Sequence, residues 1–243
     1  MNRTIRLQFR LTGLLVTILV VMAGLLRPAL ADTTYYPSPD NGQKVYLSRS
    51  CHDRSSGACI DNPGCDGFSE NSRSALLAYD ALRGPNLGSG LLDRQYIVRI
   101  GDGLTAENIR ASNGWNAKMH IPLHSNAKNN VCDSPVNSDA YGGTHMLYTS
   151  TNGRQLSAQM VYALDSSSPG TDDRVIERND LGELNDTSAV ASYAESEYHT
   201  WNKGVNWLRE SESWAYLIGY GVDRCRGYPR RGEGTTGEKR CDW

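Results

Sequence analysis

The chain has 243 residues, of which 39% are hydrophobic and 21% charged, with 25 basic against 27 acidic side chains and a formal net charge of −2. That balance excludes the basic surface with which proteins grip nucleic acid, since phosphates are held largely through Lys and Arg. No internal repeat and no low-complexity linker breaks the chain.

Residues 1–31 have the build of a secretory signal peptide. A basic start with Arg3, Arg6 and Arg10 precedes an apolar run from Leu11 to Leu26 and a small-residue Ala29-Leu30-Ala31 cleavage site. The apolar run is short for a membrane span, which needs about 20 apolar residues. The mature protein is therefore expected to begin near Asp32, to be secreted, and to make no stable membrane insertion. Removal of the segment takes away four arginines and no acids, leaving 21 basic against 27 acidic residues and a net charge of −6. The remaining ~210 residues suit one domain with a sizeable core, expected over 32–222, followed by a polar tail over 223–243.

Six cysteines, Cys51, Cys59, Cys65, Cys132, Cys225 and Cys241, in an exported chain point to disulfides, because the compartment is oxidising. Their spacing lacks the paired Cys-x-x-Cys of a structural zinc site. Cys225 with Cys241 is the favoured pair, tying down the tail. The other four are then available to brace loops. A metal role for Cys51 is the minor alternative.

In chain order, 32–43 is rich in Pro, Asn and Gly and reads as a lead-in loop. A short strand is expected over 44–48, then a long loop over 51–68 that holds three cysteines and shows no periodicity. Loops of that length usually carry function. From Glu70 the pattern turns helical, with Leu76, Leu77 and Ala81 apolar and a stop at Gly84-Pro85. A strand over 95–100 precedes a short helix over 105–113 with Thr105 as its N-cap. Over 118–125 the residues alternate, Met119, Ile121 and Leu123 on one face and His120 and His124 on the other. Pro122 has no N–H for a ladder and points to a strand end or edge. A strand over 144–149 follows Gly142-Gly143, and 155–164 is an amphipathic helix with Leu156, Met160, Ala163 and Leu164 on one stripe. The last strand spans 190–196. A helix over 202–220 supplies Val205, Trp207, Leu208, Trp214, Leu217 and Ile218 to the core. Alternating strands and helices predict an α/β three-layer sandwich, a mainly parallel central sheet flanked by helices.

Chemistry concentrates at strand ends. His52 in SRSCHDRSSG and His124 in HIPLHSNAKN each stand at or just past the end of a strand-like run, Glu70 opens the first helix, and Glu195 closes the run AVASYAES. Two imidazoles and a carboxylate form a ligand set for catalytic Zn²⁺, which keeps its fourth position open. A further carboxylate is left for proton transfer. His120 shares the face of His124 and is the rival ligand, although the terminal position exposes His124 better. Glu197, two residues past Glu195, is the rival base. Asp53, His145 and His199 lie near these motifs as supporting or surface residues.

The order, spacing and flanks of these segments resemble the zinc-dependent N-acetylmuramoyl-L-alanine amidases, the amidase-3 family of cell-wall hydrolases. VYLSRSCHD matches the strand and loop carrying the first histidine, GFSENSRSALLAYDAL the helix opened by a glutamate, HIPLHSNA the His-x-Asn-Ala strand end, and SYAESEYHTWNKGVNWL the late strand ending in glutamate. NIRASNGWNAKMHI is similar to the helix that leads into the second histidine strand. The match runs from about Val45 to Leu208. It departs at the first histidine, where the family commonly shows Asp-Pro-Gly-His-Gly-Gly and this chain shows Ser50-Cys51-His52-Asp53. No LysM-like or SH3-like wall-binding module accompanies the domain.

The resemblance implies zinc held by His52, Glu70 and His124, with Glu195 as general acid/base. It implies peptidoglycan or muropeptides as substrate, cut at the amide joining the muramoyl lactyl carbonyl to L-Ala. A secreted binding protein that kept the fold and lost the chemistry is the alternative. A zinc peptidase would show His-x-x-Glu or His-Glu-x-x-His, and neither occurs.

Overall fold

The computed structural model describes residues 32–54, 58–83, 90–128, 132, 142–165, 167–226 and 240–243. The signal-like segment 1–31, the Gly84-Pro85 stop and the side chains of Asp53 and Leu217 lie outside the described residues. The elements run β1 (Thr33–Tyr35), β2 (Lys44–Arg49), β3 (His52–Arg54), β4 (Ala58–Ile60), α1 (Glu70–Arg83), β5 (Ile97–Gly101), α2 (Thr105–Gly114), β6 (Met119–Asn126), β7 (His145–Tyr148), α3 (Thr151–Asp165), β8 (Arg174–Glu177), α4 (Gly182–Asn185), β9 (Val190–Ala191), β10 (Tyr193–Tyr198), α5 (Asn202–Arg209) and α6 (Ser211–Arg226). None of the described helices is long and apolar enough to cross a membrane.

Eight strands form one sheet in the order β1-β5-β2-β6-β10-β7-β8, with β9 also paired to β6. The centre is parallel, β5 to β2, β2 to β6 and β6 to β10, while β1 and β7 run antiparallel to their neighbours β5 and β10. Side chains alternate through the sheet as the sequence predicts. Val45, Leu47, Met119, Ile121 and Leu123 enter a large cluster with Leu77 of α1, Met160 of α3 and Ile218 of α6. The opposite face carries two smaller clusters, Tyr46 and Ile97 with Trp115, and Leu147 and Tyr193 with Leu184 of α4. Helices cover both faces, so the sheet is the middle layer. Burying one Leu- or Ile-sized side chain stabilises the fold by about 1.5–3 kcal/mol.

Pro122 departs from its expected place. It sits inside the central strand β6, opposite Ser48 of β2. The parallel ladder explains how. Ser192 donates its N–H to the carbonyl of His120, and the next bond on that side would run from the N–H of residue 122 to the carbonyl of Ser192. Proline has no such donor. The ladder is interrupted there, and β9 ends at Ala191 while β10 starts at Tyr193. The single late strand expected over 190–196 is thus two strands split at Ser192.

Other boundaries shift for local reasons. The helix expected over 202–220 is broken at Glu210, whose ψ of 74° ends α5 before α6 begins. Thr105 is the first residue of α2 rather than its cap, and its hydroxyl donates to the carbonyl of Cys51. At the same end the Glu107 carboxylate accepts the N–H of Leu104 at 2.9 Å. The long loop after β2 contains the β3–β4 hairpin, a separate two-stranded sheet closed by the Cys51–Cys59 disulfide. Cys65–Cys132 ties a later part of that loop to the segment after β6, and Cys225–Cys241 links α6 to the C-terminal residues. Helix α6 runs on past Val222 to Arg226.

Candidate metal centre

The parallel strands β2 and β6 end side by side, and the loop after β2 and the start of α1 meet them there. His124 comes from the end of β6, His52 from the start of β3, and Glu70 from the first turn of α1. Their nearest donor atoms all lie within 4.8 Å of one another. His52 Nε2 is 2.7 Å from Glu70 Oε2, and His124 Nδ1 is 3.3 Å from Glu70 Oε1. The two imidazoles meet edge to face at 5.0 Å.

The three groups could close on a small divalent cation. Nitrogen and oxygen ligands about 2.0–2.2 Å from a tetrahedral zinc lie about 3.4 Å from one another. Nε2 of the buried His124 has no hydrogen-bond partner among the described residues. The nitrogen that faces Glu70 is Nδ1, and this unpartnered Nε2 lies on the other edge of the ring. Two imidazoles and one carboxylate match the borderline-soft character of zinc.

Neighbours hold the ligands in place. Glu70 Oε1 accepts the backbone N–H of Ser125 at 2.8 Å. Ser50 Oγ meets His124 Nδ1 at 3.1 Å. One helical turn beyond Glu70, the Ser74 hydroxyl donates to the carbonyl of Leu123 at 2.7 Å and accepts the N–H of Ser50 at 2.6 Å. Ser74 was not singled out from the sequence, although its i+4 spacing to Glu70 places it on the same helix face. Ser50 and the Ser125 amide carried no such signal.

Burial raises the Glu70 carboxyl, but hydrogen bonds from His124 and His52 outweigh it and hold Glu70 well below the usual carboxylate range. Burial pulls His124 down, and the Glu70 carboxylate more than reverses this, so its imidazolium persists above the usual range. His52 is the accessible member of the group, with 42% of its side chain exposed.

Glu195 and His124 are register partners in the parallel pair β6–β10, so their side chains share one face of the sheet. Glu195 makes no hydrogen bond to a described residue. Desolvation pushes its pKa up to about 7 against the opposing pull of His124. A carboxylate poised there can exchange protons at neutral pH.

The rival residues occupy other roles. Glu197 lies past a register irregularity in β10 with φ of 52°, which turns its side chain away from the face of Glu195. Its fully buried carboxylate instead accepts the N–H groups of Gly143 and Gly170, at 3.0 and 2.7 Å, and the Ser168 hydroxyl at 2.7 Å. Glu197 therefore anchors the segments around Gly143 and Gly170. His120 is fully buried, stacks on Tyr46 and contacts Glu183 at 3.2 Å. Cys51 is in a disulfide and has no thiolate for a metal. His199 bonds Ser125 Oγ at 2.9 Å through Nδ1, and His145 bonds Asn126 Nδ2 at 3.0 Å.

A cleft of about 350 Å³ opens beside the metal group. His52, His124, Cys51, Tyr193, Leu181 and Glu183 are among the residues that line it. The Tyr193 ring stacks on His124 at 4.5 Å. Neither Tyr193 nor Glu183 was singled out from the sequence.

No protein-family model matches the chain, and no curated protein matches its sequence. Solved structures do match. The catalytic domain of CwlV, an N-acetylmuramoyl-L-alanine amidase from Bacillus (Paenibacillus) polymyxa var. colistinus, superposes with a TM-score of 0.56 at 16% identity, covering 75% of this chain and 97% of that one. The CwlD amidase from Clostridioides difficile, in complex with the GerS lipoprotein, gives 0.58 at 17% identity, covering 75% and 98%. The catalytic domain of an endolysin targeting Clostridia difficile gives 0.57 at 20% identity, covering 74% and 96%. The chain shares the fold of these amidase domains.

Proposed function

We propose that this protein is a secreted, zinc-dependent N-acetylmuramoyl-L-alanine amidase of the amidase-3 type, acting on peptidoglycan or muropeptides. The observation that carries the reading is the convergence of His52, Glu70 and His124 at the strand ends, with Glu195 in register beside His124. The fold shared with the amidase domains supports it.

In this reading His52, Glu70 and His124 hold the metal and Glu195 moves the protons. Zinc, when bound, supplies Lewis acidity toward a water molecule and a carbonyl oxygen. Glu195 takes a proton from the attacking water, which its pKa near 7 permits at neutral pH. It then returns that proton to the departing amine nitrogen, which leaves poorly as an anion. Ser50 and the Ser125 amide keep His124 and Glu70 oriented throughout. The cleft beside the histidines admits the substrate.

The test is mass spectrometry of peptidoglycan fragments after incubation with zinc-loaded protein. Free stem peptides with an L-Ala amino terminus, together with peptide-free glycan, are expected. Cleavage within the stem peptide would replace this reading with a peptidase, and intact muropeptides would replace it with a wall-binding protein.

A further inference from the structure

Glu183 is a buried carboxylate that the proposed chemistry does not use. It sits in the short helix α4, 4% exposed, on the wall of the cleft beside His52 and His124. Burial of a charged carboxylate is costly unless hydrogen bonds satisfy it. Among the described residues, only one of its oxygens is hydrogen-bonded. Oε1 accepts the Ser48 hydroxyl and lies 3.2 Å from His120 Nε2. Asn108 Nδ2 donates to the same Ser48 oxygen at 2.9 Å, so a chain of polar groups under the sheet fixes the carboxylate.

The second oxygen, Oε2, receives no hydrogen bond from any described residue. Glu183 lines the cleft with the small part of it that stays exposed. Tyr193, at the start of β10, lines the same cleft. Its ring stacks on His124 at 4.5 Å, and its hydroxyl has no partner among the described residues.

We propose that Glu183 Oε2 and the Tyr193 hydroxyl form a subsite next to the metal centre for a hydrogen-bond-donating substituent of the substrate, an O–H, N–H or ammonium group, and that the subsite disfavours carboxylates. This rests on the cleft being the amidase substrate site. A preorganised acceptor in a partly dry pocket binds a donor strongly and leaves a high cost when the donor is missing. The Glu183 carboxylate on the cleft wall adds repulsion toward an anion. In a muropeptide the donor comes either from the sugar, as hydroxyl or acetamido N–H, or from the stem peptide, as an amide or side-chain ammonium.

Two uncleavable probes separate these sources: methyl N-acetyl-β-D-glucosaminide for the glycan arm and the peptide L-Ala-D-isoglutaminyl-L-Lys for the stem arm. Binding of each to the zinc-loaded mature protein is measured by NMR titration, for wild type, Glu183→Gln and Tyr193→Phe. Glutamine keeps an oxygen for Ser48 and His120 and turns an amide donor toward the cleft. One probe is expected to bind, losing about tenfold or more in Glu183→Gln, as for a charge-assisted bond, and less in Tyr193→Phe. If Glu183→Gln misfolds, Tyr193→Phe, which removes one oxygen, still reads the subsite. Neither probe binding, or equal binding to all three proteins, refutes it. A wild type that leaves muropeptides intact while Glu183→Gln loses probe binding would keep the subsite and end the amidase reading. A wild type that cleaves muropeptides with a KM unchanged by Glu183→Gln would do the reverse.

Discussion

Glu70 Oε1 accepts the backbone N–H of Ser125, the residue after His124, at 2.8 Å. One carboxylate therefore faces the proposed metal and also locks the strand end that presents another ligand. Glu70→Ala is expected to cost more than one coordinate bond, because it frees His52 and leaves the Ser125 amide unpaired. Elemental analysis of the purified variant should find zinc reduced at least as far as in His124→Ala, against about one equivalent in the wild type. Zinc content equal to wild type in both would end the ligand assignment.

Acid should also strip the metal. The Glu70 carboxylate keeps His124 protonated above the usual histidine range, and metal binding must displace that proton. Zinc affinity is therefore expected to rise with pH through and beyond the ordinary histidine range, with protons released on binding. Calorimetry in buffers of different ionisation enthalpy reads that release directly. Zinc uptake with no proton exchange would contradict it.

Glu195 gives two separable effects. As a base it must be ionised, so kcat/KM should fall about tenfold per pH unit below its pKa of about 7. Glu195→Gln should retain zinc and lower cleavage by about 10²–10⁴-fold. The same group also acts on stability in the metal-free protein. Its folded pKa lies above the ordinary 4.5, so the folded state holds the proton more tightly. The stability this brings is fully present below pH 4.5 and is lost as pH rises through about 7. Metal-free Glu195→Gln should consequently gain on wild type between those pH values and be the more stable protein at pH 8, measured by urea denaturation.

The alternation of Met119, Ile121 and Leu123 against His120 and His124 was legible because a period of two is intrinsic to a strand. The helix start at Glu70 was legible for a similar local reason. The split at Ser192 was not, because it arises where a proline in β6 meets a neighbour more than 60 residues away in sequence. Nor was the turn of Glu197 off the catalytic face, since a register irregularity with positive φ has no signature in the run YAESEYH. Strand β8 pairs with β7 at the sheet edge, and its Arg174–Glu177 segment is too short for periodicity to register. The pairing of Glu183 with His120 and Ser48 likewise depends on chain segments that only the fold brings together.

Glu197 should behave as a stability residue. Its carboxylate holds the Gly143 and Gly170 amides and the Ser168 hydroxyl together, where the chain segments approach so closely that a side chain on Gly170 would collide with Gly142 and Gly143. Glu197→Ala leaves two buried amides unpaired and is expected to lose about 3–5 kcal/mol. Under conditions where the variant remains folded and zinc-loaded, its cleavage rate should stay within a few-fold of wild type. A loss of kcat as large as that of Glu195→Gln, with unfolding stability unchanged, would return Glu197 to the role of base.

The disulfide framework makes the last prediction. Cys51 and Cys59 close an eight-residue separation around His52, and among the described residues the β3–β4 hairpin they join pairs with no other strand. Cys59→Ser therefore removes a cross-link worth about 2–3 kcal/mol in the chain-entropy account of short loops. The released hairpin no longer fixes His52, and zinc affinity should fall by about 10–100-fold, the range seen when the support of a metal ligand is lost. Cys225→Ser, at the C-terminal disulfide, should lower thermal stability with little change in zinc affinity. The denatured, unreduced wild type should titrate no free thiol. If Cys59→Ser binds zinc as tightly as wild type, His52 is held by its pairing across the hairpin alone, and the disulfide has no part in building the metal centre.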